Sequence, residues 1–279
     1  MNQLSTLPFL AAALGAFWVW LATSSFRHRW IGPKGFAWVI GWLAALGAWG
    51  VTTSHLAIAG DYETQVFYSR LPGLWLPLVP IALTAFMVLA SSSLRHALLT
   101  IASRHTRAMV LIHALRIAAL GSLYKVSIGA FPAFFGYFVG FPDFLFGLSA
   151  LALGLSGKWN VLGPRGLIVW NLIGIAVILP APILIQLGLP GPFHTFTSLP
   201  DGRALLEFPM VLAPTLVVAF FITMNAIQAA AVWLGYGADA HAPSGRHDEL
   251  KGSAPAWEPL TYQQFDQAIG GYHVGQHHD

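Results

Sequence analysis

The chain has 279 residues, of which 56% are hydrophobic and 9% charged, with a mean hydropathy of +0.64. Soluble domains carry about 25% charged residues, so nine per cent cannot cover a water-exposed body of this size, and an integral membrane protein is the class that fits. The formal charge of +3 comes from dispersed basic residues, which gives no basic face for nucleic acid, and the lack of cysteine excludes disulfides, thiolate metal sites and a cysteine nucleophile.

A helix needs about 20 apolar residues to cross about 30 Å of hydrocarbon. Seven segments meet this requirement: 7–25, 36–58, 73–92, 108–128, 140–156, 166–188 and 208–236. The first is not preceded by basic residues, as a signal peptide would be, and is followed by "RHRWIGPK", which favours an uncleaved anchor. With the N-terminus outside, the cytoplasmic loops hold Arg27, Arg29, Lys34, Arg95, Arg104, Arg107, Lys158 and Arg165, whereas the outer loops hold Arg70 and Arg203. This asymmetry predicts an all-α bundle of seven helices, N-terminus outside and C-terminus cytoplasmic. Trp18, Trp20, Trp30, Trp75, Trp159, Trp233 and Tyr236 fall near the segment ends, as an interfacial aromatic belt does.

Between the third and fourth segments, Leu94, Leu98 and Ile101 recur at helical spacing with Arg95 and Arg104 elsewhere around the turn. That pattern predicts a short amphipathic helix on the cytoplasmic surface. Pro180 and Pro182 predict a kink in the sixth segment, and Pro132 and Pro142 predict breaks around the fifth. Residues 1–236 form the transmembrane domain. The remainder, 237–279, is polar and rich in Gly, Ala and Pro, and reads as a cytoplasmic tail. Within it Trp257, Leu260, Tyr262 and Phe265 are the anchors expected to dock on a partner.

Ionisable groups at membrane depth cost about 2.5–3.5 kcal/mol each at the bilayer centre, so His113, Arg116, Lys125 and Asp143 are the candidate site residues. Arg116 lies nine residues beyond Arg107, about 13 Å into the bilayer at 1.5 Å per residue. His113 is one turn below it on nearly the same face, and Lys125 lies near the outer end. Asp143 has two placements. If Pro142 starts the fifth helix at the outer surface, Asp143 caps its first turn beside Lys125. If the stretch 129–142 dips into the membrane, Asp143 reaches Arg116.

The segment 111–153, "LIHALRIAALGSLYKVSIGAFPAFFGYFVGFPDFLFGLSALAL", resembles one found in a family of uncharacterised bacterial multi-pass inner-membrane proteins. Their pattern is roughly Q/H-x-x-R, then L-P-x-x-F-A, then A-G-x-G-D-x-x-x-G-x-x-A. His113, Arg116, Pro132, Gly140, Asp143, Gly147 and Ala150 take the matching places, and "FPMVLAPTLVV" resembles the family's last-helix segment. This chain departs from the pattern at Phe141–Pro142, and carries Asn225 where the family usually has His. The resemblance implies the bacterial cytoplasmic membrane as location and one constellation containing Arg116 and Asp143; it implies no activity.

Other chemistries lack their residues. Within the helices His113 has no second histidine at matching depth for a b-type haem, and no H-x-x-H-H cluster for di-iron stands near a boundary. The last segment has no lysine for a retinal Schiff base, and there is no G-x-S-x-G. Glu207, at an outer boundary beside Pro209, reads as a capping residue. No metal or cofactor is expected, with room left for a bound lipid or apolar pigment. The lipid bilayer is the expected surrounding, and other membrane subunits are the expected partners through helix faces and the tail. The first functional expectation is a non-enzymatic subunit of a membrane complex. The alternative is a transporter or ligand-binding protein using the intramembrane Arg/Asp site, and a membrane enzyme or haem protein comes third.

Overall fold

The computed structural model describes residues 5–157 and 162–236. Lys158, Trp159 and the tail anchors Trp257, Leu260, Tyr262 and Phe265 lie outside the described residues. The described residues are helical, with no strand among them, and seven helices are long and apolar enough to cross a membrane. These are α1 (Leu7–Arg27), α2 (Pro33–Ile58), α3 (Pro72–Ala90), α5 (Thr106–Ser127), α6 (Ala133–Ser156), α7 (Gly163–Gly188) and α8 (Ala213–Trp233). The eighth helix, α4 (Ser92–Arg104), joins α3 to α5. The connections after α1 and α3 meet at one end, where Arg104 and His105 pack on Trp30, and Arg107 Nε donates there to Gly154 O near the end of α6; this end carries Arg29, Arg95 and Arg104. The connections after α2, α5 and α7 gather at the opposite end.

α8 is the centre of the bundle: 61% of its apolar window is buried, against 22–33% in the other spans. Around it, the Trp18 and Trp42 rings of α1 and α2 meet edge to face at 5.2 Å, and Trp42 Nε1 donates to Thr84 Oγ1 of α3 at 3.0 Å. α4 is amphipathic as its spacing predicts. Ser91 Oγ accepts from Leu94 N at 3.2 Å and caps it. Leu94, Leu98 and Ile101 are buried, and Arg95 and Arg104 are exposed.

Five spans depart from regular α geometry: α3 carries a 3-10 stretch at Leu76–Leu78, and the departures in the other four build the site. In α5 the residues His113–Ala119 form a 3-10 stretch. At about 2.0 Å rise per residue instead of 1.5 Å, seven such residues carry Arg116 and the rest of the helix deeper than a regular helix would. In α6 the residues Gly136–Gly140 form a π turn just before Phe141–Ser156. Pro142 has no N–H to donate, and the widened turn ahead of it lets the helix continue. In α7 the run Gly163–Ala176 is separated from Ala181–Gly188 by a turn that ends at Pro180, with Pro182 just inside the second piece. A second π turn, Ala213–Val217, contains Pro214 and opens α8.

The fifth span therefore starts at Ala133, not at 140. Residues 133–142 are helical, and neither a surface turn nor a non-helical re-entrant stretch forms there. Prolines and glycines that read as breaks are absorbed by a π turn.

A candidate polar site between α5, α6, α7 and α8

Asp143 stands ten residues into α6, about 15 Å from the end of the span, and so does not cap a helix at the surface. Arg116 stands ten residues into α5 from the basic end, at similar depth. The two meet: Arg116 Nε donates to Asp143 Oδ1 at 2.6 Å, and Nη2 contacts the same oxygen. The Arg116 side chain is fully buried and that of Asp143 is 18% exposed.

The close approach has a backbone cause. Gly147, one turn beyond Asp143, packs directly on α5: a Cβ there would stand 2.6 Å from Ile117 N and 2.9 Å from Arg116 C. Any side chain at 147 would push apart the two helices that the ion pair joins.

The third partner comes from the break in α7. Ile178 N donates to Ile175 O instead of reaching Gly174 O, and Pro180 has no N–H. Released from the helical ladder, Gly174 O accepts from Arg116 Nη2 at 3.1 Å. Thus the turn that ends the first piece of α7, four residues beyond Gly174, supplies the arginine's carbonyl. Aromatic faces complete the enclosure: Arg116 Cζ lies 4.1 Å from the Phe146 ring centroid and 5.7 Å from that of Phe221.

His113 lies one turn nearer the basic end, fully buried among Phe146, Trp170 and Phe221 at 5.6–5.8 Å between ring centroids. Neither of its ring nitrogens has a hydrogen-bond partner. Asn225 of α8 packs flat on Gly174, where a Cβ would stand 2.8 Å from both of its amide atoms, and neither amide atom is partnered. Asn171 Nδ2 donates to Leu167 O at 2.8 Å, leaving Oδ1 free, and Gln228 Nε2 donates to Thr106 O at 3.3 Å, leaving Oε1 free. Arg116 Nη1 is free as well. Seven of the ten buried, unpartnered side-chain polar atoms among the described residues thus belong to these five side chains.

They form a seam. Asn225 adjoins the Arg116–Asp143 pair through Gly174, His113 shares the Phe146 and Phe221 rings with Arg116, and Gln228 lies toward the basic end at the level of Thr106. The free atoms include donors (Arg116 Nη1, Asn225 Nδ2) and acceptors (Asn171 Oδ1, Asn225 Oδ1, Gln228 Oε1), with one of each on His113 when neutral. No family model, curated protein or solved structure matches this chain.

The remaining sequence-derived residues are placed elsewhere. Lys125 does not meet Asp143; its Nζ lies 3.4 Å from Met210 Sδ. Pro132 precedes the first residue of α6. Pro142 lies inside α6, and Pro180 and Pro182 bracket the restart of α7. Asn171, Asn225 and Gln228 were not singled out by a search for charges. Their signal was spacing: Asn171 with Gly174, and Asn225 with Gln228, stand at i, i+3, so each pair shares a helix face.

Proposed function

We propose that this multi-pass protein is a transporter or solute-binding protein whose small polar solute occupies the seam and engages the Arg116–Asp143 pair. The observation that carries this reading is the set of unpartnered buried polar atoms on Arg116 itself and on His113 and Asn225, which adjoin that pair. Buried polar groups are ordinarily satisfied, and within a hydrocarbon layer leaving them unsatisfied is costly. A hydrogen-bonding solute, or the water that precedes it, supplies what the protein does not. Interrupted helices flank the pair in all four contributing spans, as they do in transporters that bind at the midplane. The family resemblance of 111–153 implies one constellation containing Arg116 and Asp143.

The test is thermal unfolding of the purified protein in mild detergent against a panel of small carboxylates, amino acids and polyols. At least one compound is expected to raise the melting temperature by several degrees in the wild type, with the shift abolished in Asn225→Leu. If none shifts the wild type, the reading fails.

The second reading, a subunit of a membrane complex, is favoured by one observation. An apolar groove of about 620 Å³ runs between Phe17 of α1, the Ala114–Ala118 face of α5 and Leu151 of α6. Small residues there permit close approach of a further helix. Native mass in mild detergent distinguishes the two readings: a stable hetero-complex supports the subunit and a lone monomer opposes it.

A further inference from the structure

At the end of the bundle opposite the basic connections, the α2–α3 and α7–α8 connections meet. Thr64 caps the short helix Gln65–Ser69 by accepting from Phe67 N at 3.2 Å, which fixes Tyr68 facing inward. Asp201 caps the 3-10 turn Gly202–Leu205 by accepting from Arg203 N at 3.0 Å, and its carboxylate also takes Arg203 Nε at 3.0 Å to each oxygen. Between the connections lies a cavity of about 260 Å³, lined by Glu63, Tyr68, Asp201, Arg203 and Glu207, with Leu199 on its apolar side.

Its charges do not cancel. Asp201 engages Arg203, and among the described residues neither Glu63 nor Glu207 has a cationic partner. The Glu207 carboxyl is pushed above the usual carboxylate range, first by burial and then by the Glu63 charge, against the lowering pull of Arg203.

A second observation is independent of the acids. Tyr68 is 2% exposed, and its hydroxyl has no hydrogen-bond partner. The charges that act on this phenol are those of Arg203, Glu63, Asp201 and Glu207, the charged lining of the cavity. Tyr68, with its buried and unpartnered hydroxyl, lines this acidic cavity, and a tyrosine oxygen accepts as readily as it donates.

The geometry narrows the occupant. Among the described residues no three of His, Asp and Glu converge closely enough to hold a metal ion. Oxygens spread around a cavity with an apolar wall suit a cation with several N–H donors and an alkyl body. We propose that this cavity binds a small primary ammonium compound, its –NH3+ donating to Glu63, Glu207 and the Tyr68 hydroxyl, its alkyl part against Leu199. This site is separate from the seam and does not depend on the reading given to it.

Titration calorimetry on the full-length protein in mild detergent tests this, with butylammonium chloride as the probe at fixed ionic strength. Saturable binding is expected, weakened about tenfold or more in Glu207→Gln and severalfold in Tyr68→Phe, since a charge-assisted bond outweighs a neutral one. Tetramethylammonium, which has no N–H, is expected to bind much more weakly. Glu63→Gln, on an exposed connection, provides the acid variant should Glu207→Gln not fold. The proposal is overturned if butylammonium gives no saturable heat or if tetramethylammonium matches it. It is equally overturned if calcium chloride binds more tightly and loses that binding in Glu207→Gln, which would make the cavity a metal site.

Discussion

The molecule contains two Arg–Asp pairs among its described residues, and they differ in almost every respect. Arg203 and Asp201 are two residues apart on a connection, and the Arg203 side chain is 49% exposed. Arg116 and Asp143 are 27 residues apart on different spans, with the arginine fully buried. The first pair is local, and solvent reaches its arginine, although the Asp201 carboxylate is buried. The second ties α5 to α6 where water cannot replace either partner, and it borrows a carbonyl from α7. The contrast teaches that identical side-chain chemistry can be a turn's finishing contact in one place and the organising contact of a bundle in another. Exposed pairs contribute about 0–1 kcal/mol, whereas breaking a buried one by removing one partner costs about 3–5 kcal/mol.

The largest expected effect follows from that difference. Asp143→Leu leaves a buried guanidinium with one carbonyl, and should lower unfolding stability in detergent by about 3–5 kcal/mol. Thermal melts and the yield of monodisperse protein report it. Gly147→Ala comes next: the added carbon overlaps α5 backbone, not a movable side chain, so about 1–3 kcal/mol should be lost with the pair chemically intact. Arg203→Gln, by contrast, should change stability by less than about 1 kcal/mol. A larger loss there would blur the distinction between the two pairs.

The smallest effect is a pH dependence at the cavity between the α2–α3 and α7–α8 connections. A glutamate whose folded value is raised binds its proton more tightly folded than unfolded. Its stabilising contribution is present below the unfolded value of about 4.3 and fades as pH rises through the raised value. Glu207→Gln should therefore remove a shallow fall in melting temperature above pH 4, and an unchanged profile would contradict the cavity's electrostatics.

Much of the architecture was legible in the sequence, because seven apolar runs of spanning length are hard to read otherwise. The amphipathic α4 was legible from three leucine and isoleucine positions. The start of α6 was not. Pro132, Gly136, Gly140 and Pro142 each argue for a break, and nothing in a one-dimensional reading says that a π turn can take up Pro142 while the helix runs on. That single register question decided where Asp143 stands. The glycines at 136, 140, 147 and 154 carried a usable hint, since spacings of four and seven put them on one face of α6. Asn171 and Gln228 escaped because uncharged amides stand out less than ions, and Asn225 stood out only as a departure from the family pattern. The part played by Gly174 could not be read at all, since its carbonyl becomes available through a break several residues later.

The most direct measurement is a double-mutant cycle on the intramembrane pair, with Arg116→Met, Asp143→Leu and the double variant compared by thermal unfolding. The account predicts that each single variant is strongly destabilised and that the double loses less than the sum of the single losses by about 2–3 kcal/mol. Additive losses, with the double no more stable than the sum of the singles, would contradict it.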